Sequence, residues 1–103
     1  MDFEVYEIKI LGLAKTVPLK AFCTIIFLSG HDNLKVEGWR VVQGSDGLFV
    51  KPPCRINLKE DGTKKFRSIL YMTNDLRARV EKEILKSYNE RKIDEYFAEE
   101  ATA

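Results

Sequence analysis

The sequence predicts an α+β domain in which an antiparallel sheet of about five strands is followed by a C-terminal amphipathic helix, or by two. The first two thirds of the chain read as short strand segments, some alternating and one apolar on both faces, and glycine and proline separate them. In the last third, apolar residues recur four positions apart, which is typical of a helix. Strands followed by a helix favour the α+β class, and 103 residues suffice for one domain spanning 1–103.

The first two strands differ in the number of apolar faces. Tyr6, Ile8 and Ile10 share one face of the first strand, which is followed by a loop at 12–18. The second strand, residues 20–28, is apolar on both faces. Such a strand is expected in the centre of a sheet with both faces covered, and a second subunit is one way to close its second face.

The third and fourth strands are joined by a glycine turn and end at two prolines. Residues 34–43 predict the third strand, GSDG at 44–47 a hairpin turn, and residues 48–50 the fourth strand. Pro52 and Pro53 lack amide donors, so this strand cannot continue as a central member of the ladder. We therefore expect the chain to leave the sheet here as a basic flap beside the helix.

A last strand precedes the helix. Asp61-Gly62 marks a turn, residues 66–72 predict a short return strand, and residues 73–75 offer N-cap candidates. The apolar seam of the helix consists of Leu76, Val80, Ile84 and Tyr88. The predicted core of the domain spans about residues 5–88, and Tyr88 is the last residue of this seam. An acidic C-terminal extension follows at 89–103. A second short helix, or a continuation of the first, is indicated by Ile93, Tyr96 and Phe97.

The net charge of +1 conceals an uneven distribution of charge. Residues 51–67 carry six basic side chains against two carboxylates, whereas residues 93–103 carry four carboxylates and no cation. On a helical projection, the cations Arg79, Lys82 and Lys86 face away from the seam. A near-neutral chain is therefore compatible with a basic surface and an acidic tail. The alternative is that the helix lysines merely solvate their face, paired with neighbouring glutamates.

No group of residues in the sequence points to catalysis, to a cofactor or to a metal site. A phosphate-binding glycine motif is absent. One histidine, His31, and two cysteines, Cys23 and Cys54, cannot complete a four-ligand zinc site without carboxylates. We expect Cys23 to be buried, Cys54 to be more exposed, and the two not to form a disulfide. Since the sequence shows neither a signal peptide nor an apolar run of ~20 residues, we expect a cytoplasmic protein without membrane contact or small-molecule substrate.

Four segments, in this order, resemble the SpoVG (septation and sporulation regulator) family. They are LKAFCTIIFLS at 19–29, LKVEGWRVVQGSDGLFVKPP at 34–53, DGTKKFRSI at 61–69 and NDLRARVEKEILKSY at 74–88. The resemblance implies a small bacterial α+β protein that forms a homodimer through its strands. It also implies a non-catalytic regulator that binds DNA and RNA to control gene expression in septation or sporulation. Leu70-Tyr71 departs from the His-Pro that the family often has, and residues after Tyr88 have no clear counterpart.

The resemblance assigns nucleic-acid contacts to Arg77 and Arg79 at the start of the helix and to the basic stretch before it. Arg77 projects into the apolar sector, so its stem could instead pack against the sheet. Our hypothesis is that the flap and the helix face, repeated across a two-fold axis, form one cationic groove. The alternative is a protein-interaction module without direct nucleic-acid binding. The full predicted set is Lys51, Arg55, Lys64, Lys65, Arg67, Arg77, Arg79, Lys82 and Lys86.

Overall fold

A computed structural model describes residues 2–11 and 16–102, with side chains described throughout these ranges except at residue 68 and from residue 92 onward. Within these ranges the elements are β1 Asp2–Ile10, β2 Leu19–Ser29, β3 Asp32–Gly44, β4 Gly47–Lys51, β5 Cys54–Leu58, β6 Lys64–Ser68 and α1 Asn74–Thr102. Strands β1 to β4 form an antiparallel sheet in the order β1-β2-β3-β4, and β5 pairs with β6 in a separate hairpin. The predicted α+β class is confirmed, with six strands in the described ranges rather than about five. Part of the predicted 12–18 loop, residues 12–15, lies outside them.

Strand β2 occupies the interior of the sheet, as its two apolar faces predict. Its register with β1 and β3 places Ala21, Cys23, Ile25 and Phe27 on one face, where all four are buried. The opposite face of β2 carries Phe22, Ile26 and Leu28, and Phe22 remains 40% exposed. The alternation along β2 therefore divides the sheet into a core face and a second face, which we call the open face.

Helix α1 covers the core face. Its N-terminus is capped as predicted, because the Leu76 amide donates to the Thr73 hydroxyl oxygen at 3.4 Å. Three seam residues, Val80, Ile84 and Tyr88, are buried against the sheet, which contributes Trp39, Val41 and Val50 from β3 and β4. The fourth seam residue, Leu76, is partly buried. The i, i+4 spacing thus gave the correct face of the helix.

The helix continues without interruption to Thr102, so the predicted second helix is a continuation of the first. The side chains of Ile93, Tyr96 and Phe97, and those of the acidic tail, lie outside the described residues. No helix in the described part of the chain is both long enough and apolar enough to cross a bilayer.

The two prolines end β4 as predicted, but the flap that follows is a β-hairpin. Cys54 pairs with Ser68 at the open end of this hairpin, and Pro53 immediately precedes it. The predicted return strand at 66–72 was therefore wrong at its C-terminal end. Residues beyond 68 have no partner on β5, because the proline before Cys54 has no amide to donate.

Two contacts hold the base of the hairpin to the sheet. Arg40 of β3 donates from Nη2 to the Cys54 Sγ at 3.0 Å. Pro53 is buried, and its Cβ lies 3.7 Å from the position that a Cβ on Gly38 would occupy. Gly38 has φ +90°, a conformation that side chains other than glycine rarely adopt. The direction in which the hairpin leaves the sheet is therefore fixed by β3.

Beyond this base the hairpin carries little of the core. Ile56, Leu58 and Phe66 are 50%, 74% and 58% exposed. The hairpin thus carries apolar surface that the residues described by the structure leave uncovered.

Candidate nucleic-acid interface

The hairpin sorts its residues by face, because successive strand residues point to opposite sides. In the β5–β6 ladder, Arg55 lies opposite Arg67, and Asn57 lies opposite Lys65. These four residues form what we call the polar face of the hairpin. Ile56, opposite Phe66, occupies the other face, which we call the apolar face. The sequence segment that looked like an irregular basic flap is therefore an amphipathic ribbon.

The cations of the polar face are not ion-paired within the part of the chain that the structure describes. Arg55, Lys65 and Arg67 are exposed, and none of them makes an ion pair or a hydrogen bond with a side chain that the structure describes. Like charges placed directly opposite each other in a ladder destabilise it. The Arg55–Arg67 pair therefore disfavours the ladder electrostatically, and it presents a positive surface that no described side chain neutralises.

The carboxylate at the tip of the hairpin is engaged within its own turn. The Thr63 hydroxyl and the Thr63 amide donate to Asp61 Oδ1 at 2.6 and 3.0 Å. These hydrogen bonds lower the pKa of the Asp61 carboxyl below its ordinary value. The turn is closed by a hydrogen bond from the Lys59 amide to the Thr63 carbonyl, and Gly62 takes φ +84°. Asp61 thus serves turn geometry instead of pairing with the strand cations.

Lys64 is separated from its neighbour Lys65 by the alternation of the strand. It lies on the apolar face, opposite Leu58. Two adjacent lysines, both in the predicted set, therefore point to opposite sides of the hairpin, which provides a matched pair for testing which side binds.

The helix cations lie in a more mixed electrostatic environment. The Arg79 guanidinium is centred 5.4 Å from the Phe3 ring, a cation–π contact to β1. Arg79 and Lys82 line a cleft together with residues 2–5 of β1 and with Glu83 of α1. Lys86 is exposed one turn further along. The predicted row of cations is present on the helix, but Arg79 is turned towards Phe3 of β1 and Lys82 shares its cleft with Glu83.

Arg77 is exposed rather than packed into the core. Its Nε donates to Glu81 Oε1 at 2.9 Å in an i, i+4 ion pair, and the Arg77 side chain is 51% exposed. The stem does not pack into the apolar seam, although its position on the helix had suggested this. Binding of a phosphate by Arg77 would have to compete with Glu81.

Lys51 lies on the open face of the sheet, where sequence reasoning missed three further cations. Lys51 pairs with Arg40 across β3 and β4, and Arg40 pairs with Phe22 on β2. Lys35 stands over the Tyr6 ring at 4.5 Å, and Lys9 pairs with Phe22 from β1. The missed residues were dispersed among carboxylates in the sequence. Only the strand pairing shows that they share a face with Lys51 and that Arg40 is its direct neighbour.

Within one chain, the predicted cations thus occupy several surfaces. The helix packs against β1, β3 and β4, while the hairpin forms a sheet of its own. The structure brings together Arg55, Lys65 and Arg67 on the hairpin, and Lys82 with Arg79 on the helix. A groove shared by hairpin and helix across a dimer axis stays a prediction.

The other reactive or metal-binding side chains that the sequence singled out are two cysteines and one histidine. Both cysteines are free, with Cys23 buried and Cys54 half-buried, as the sequence predicted. His31 is exposed in a turn between β2 and β3. Among the residues that the structure describes, no three side chains of the metal-binding types are grouped so that they could hold an ion.

Comparison with known proteins gives two matches. A family model described as SpoVG matches residues 3–90. The chain is also 32% identical over 87 residues to a protein of Symbiobacterium thermophilum named "Putative septation protein SpoVG". That alignment covers 84% of this chain and 57% of the relative, so the chain spans little more than half of the relative's length.

Proposed function

The chain belongs to the SpoVG family of septation and sporulation regulators, and on this premise we propose that it is a non-catalytic regulator that binds DNA or RNA through a basic surface to control gene expression. The observation that carries the proposal is the polar face of the hairpin. There Arg55 and Arg67 stand opposite each other with Lys65 beside them, and no described carboxylate neutralises them. A surface of this kind attracts a polyanion, because each neutralised phosphate releases condensed counterions.

The helix supplies a second, weaker set of contacts. Lys82 and Lys86 are exposed on α1, and flexible ammonium groups bind phosphate without demanding a fixed orientation. Lys82 lies in a cleft with Glu83, and that carboxylate reduces the local positive potential. The helix cations therefore add to the affinity for nucleic acid, and the hairpin cations provide most of it.

A homodimer is part of the proposal, and the open face of the sheet is the surface that supports it. Across this face the net charge changes sign. Strand β1 contributes Asp2, Glu4 and Glu7 against the single cation Lys9, β2 contributes Phe22, Ile26 and Leu28, and β3–β4 contribute Lys35, Arg40 and Lys51. Two copies related by a two-fold axis along the apolar middle would place the acidic strand of each over the basic strands of the other. The open face of a second copy is therefore complementary to the open face of the first, because apolar residues meet in the middle and opposite charges meet on either side.

A protein-interaction module is the second candidate function, favoured by one further observation. A groove of about 280 Å³ is lined by Phe27, Leu34, Leu70, Tyr71 and Leu76 among others, and Leu34 and Tyr71 are 60% and 87% exposed. Exposed apolar surface of this kind is typical of protein contacts. Purification with a stoichiometric protein partner and without nucleic acid would favour this candidate.

The proposed function is tested by a salt titration of binding. The affinity for labelled duplex DNA and for labelled RNA is measured by mobility shift at a series of salt concentrations. For duplex DNA we expect the logarithm of affinity to fall against the logarithm of salt with a slope of about −0.9 per phosphate contact. Lys82→Ala and Lys86→Ala should each make that slope shallower by about 0.9, with unchanged circular dichroism. A slope near zero, or no shift of any nucleic acid, would rule out the proposed mechanism.

A further inference from the structure

The hairpin offers more than positive charge, since its polar face consists only of residue types that recognise base edges. We propose that the β5–β6 ribbon enters the major groove of B-form DNA and reads base pairs through Arg55, Asn57, Lys65 and Arg67. This inference rests on the proposed function and specifies its ligand as duplex DNA. It also separates two roles, with sequence recognition on the hairpin and phosphate contacts on the helix.

The dimensions of the ribbon suit this groove. The major groove of B-DNA is roughly 12 Å wide and admits a two-stranded β-ribbon. Paired strands lie about 4.8 Å apart, so Arg55 and Arg67 reach into the groove side by side. Along each strand, residues on one face recur every ~6.8 Å, close to two base-pair steps of ~3.4 Å. Two cross-strand pairs would therefore contact base pairs about two steps apart. The first pair is Arg55 with Arg67, and the second is Asn57 with Lys65.

The chemistry of the four side chains matches the donor and acceptor pattern of the groove. Arginine donates two hydrogen bonds to O6 and N7 of guanine, and asparagine pairs with N6 and N7 of adenine. Arg55 and Arg67 have no described side-chain partner that would hold them back. Asp61, which would repel phosphates, is held in the turn by Thr63. The predicted target thus contains guanine near the first pair and adenine near the second.

Access is also provided, because the hairpin stands away from the body of the protein. Its apolar face is 50–74% exposed at Ile56, Leu58 and Phe66, so neither side of the ribbon is packed under the main sheet. Double-stranded RNA is excluded as the ligand of this ribbon, since the A-form major groove is too deep and narrow for side chains to read. The ribbon therefore favours DNA over duplex RNA.

The test begins with selection of a preferred duplex from a random pool. Affinities of the full chain are then measured, at one salt concentration, for the selected duplex and for a scrambled duplex of equal length. The ratio of the two affinities reports base recognition. Arg55→Lys and Arg67→Lys keep the charge but replace the planar, rigid pair of donors by a flexible ammonium group, and should lower this ratio roughly 5- to 140-fold each. Their affinity for the scrambled duplex should stay the same.

Two neighbouring lysines supply the matched control. Lys65→Ala removes a charge from the polar face and should lower both the affinity and the ratio. Lys64→Ala removes the same charge from the apolar face and should weaken binding to both duplexes alike, leaving the ratio unchanged. A contacted guanine can also be replaced by 7-deazaguanine, which lacks the N7 acceptor. This replacement should weaken DNA binding by the wild type, but not by the Arg→Lys variant of the arginine that contacts that guanine.

The outcomes separate this inference from the proposed function. If the wild type shifts DNA but Arg55→Lys and Arg67→Lys keep the full ratio, the ribbon does not read bases, although the protein still binds nucleic acid. The inference is equally overturned if only single strands bind and Phe66→Ala abolishes that binding, because the apolar face would then be stacking bases. If no nucleic acid is bound at all, both the inference and the proposed function fail.

Discussion

Arg55 and Arg67 face each other directly across the β5–β6 ladder, and no described carboxylate pairs with either one. An antiparallel ladder normally places opposite charges, or apolar residues, at such positions. The hairpin therefore carries a local electrostatic cost that a bound polyanion would relieve, and this relationship yields the first prediction.

Arg55→Glu is expected to change stability and binding in opposite directions. The new carboxylate would face Arg67 and convert a repulsive pair into an attractive one, worth roughly 0.2–1 kcal/mol of folding free energy. The same change should strongly reduce nucleic-acid affinity, measured by mobility shift beside thermal unfolding. Lys64→Glu is the control, because it faces Leu58 and should not gain stability. A fall in stability for Arg55→Glu would contradict the repulsion that we infer from the register.

The dimer proposal predicts that Phe22→Asp yields a monomer. Phe22 lies in the apolar middle of the open face, 40% exposed and away from the helix, so the substitution should spare the core of one chain. Light scattering after size exclusion should give twice the 11.9 kDa chain mass for the wild type and the single mass for the variant. Leu34→Asp, also at an exposed apolar position but on the core side of β3, should remain dimeric. A wild type that is monomeric at high concentration would refute the proposal.

The helix seam predicts a large and local effect on stability. Ile84 is completely buried between α1 and the sheet, so Ile84→Ala should lower the free energy of unfolding by about 2–5 kcal/mol. Urea unfolding followed by circular dichroism measures this directly. Lys86→Ala, two residues further on an exposed position, should change stability by no more than about 0.5 kcal/mol. A similar effect of both substitutions would mean that the helix does not pack through this seam.

Cys23 should make stability depend on alkaline pH. Burial raises the pKa of its thiol from 9.0 to about 12, so the folded protein holds the proton that the unfolded chain releases. The contribution is complete below pH 9 and is lost as pH rises from 9 towards 12. Burial also raises the pKa of Tyr88 and acts in the same direction, so the wild type must be compared with Cys23→Ala at pH 7.5 and 10. Equal pH dependence of the two proteins would disprove the assignment to Cys23.

The same contrast between the cysteines can be measured by thiol labelling. At pH 8 the half-buried Cys54 of the native protein should react with a disulfide reagent, while Cys23 should react only after unfolding. Rapid labelling of both thiols in the native protein would indicate that β2 is not covered by α1.

Much of the fold was predictable because the core is built from regular patterns. Because β2 is apolar on both faces, its position inside the sheet was predicted correctly. The spacing of Val80, Ile84 and Tyr88 likewise predicted which side of α1 is buried. Strand β5 was missed although its residues alternate, since Ile56 and Leu58 are exposed and no buried partner reinforces the pattern. A short strand that pairs only with its own hairpin partner carries a weak hydrophobic signal.

The candidate site was less predictable than the fold, because charges counted along the chain do not show which face they occupy. The charge counts located a basic stretch at 51–67 correctly. They could not show that Lys64 and Lys65 lie on opposite faces of the hairpin, or that Lys51 lies beside Arg40. Both results depend on strand register. The pairing of Arg77 with Glu81 likewise depends on rotamers that the helical projection alone does not fix.

The base of the hairpin, held by Arg40 and by Pro53 against Gly38, has a consequence for how such proteins diversify. Since the outer positions of the ribbon contribute almost nothing to the interior, mutations there can accumulate without jeopardising the scaffold. If the ribbon reads bases as we propose, paralogues that keep the proline junction but exchange residues at 55, 57, 65 and 67 would recognise other DNA sequences while keeping the same fold.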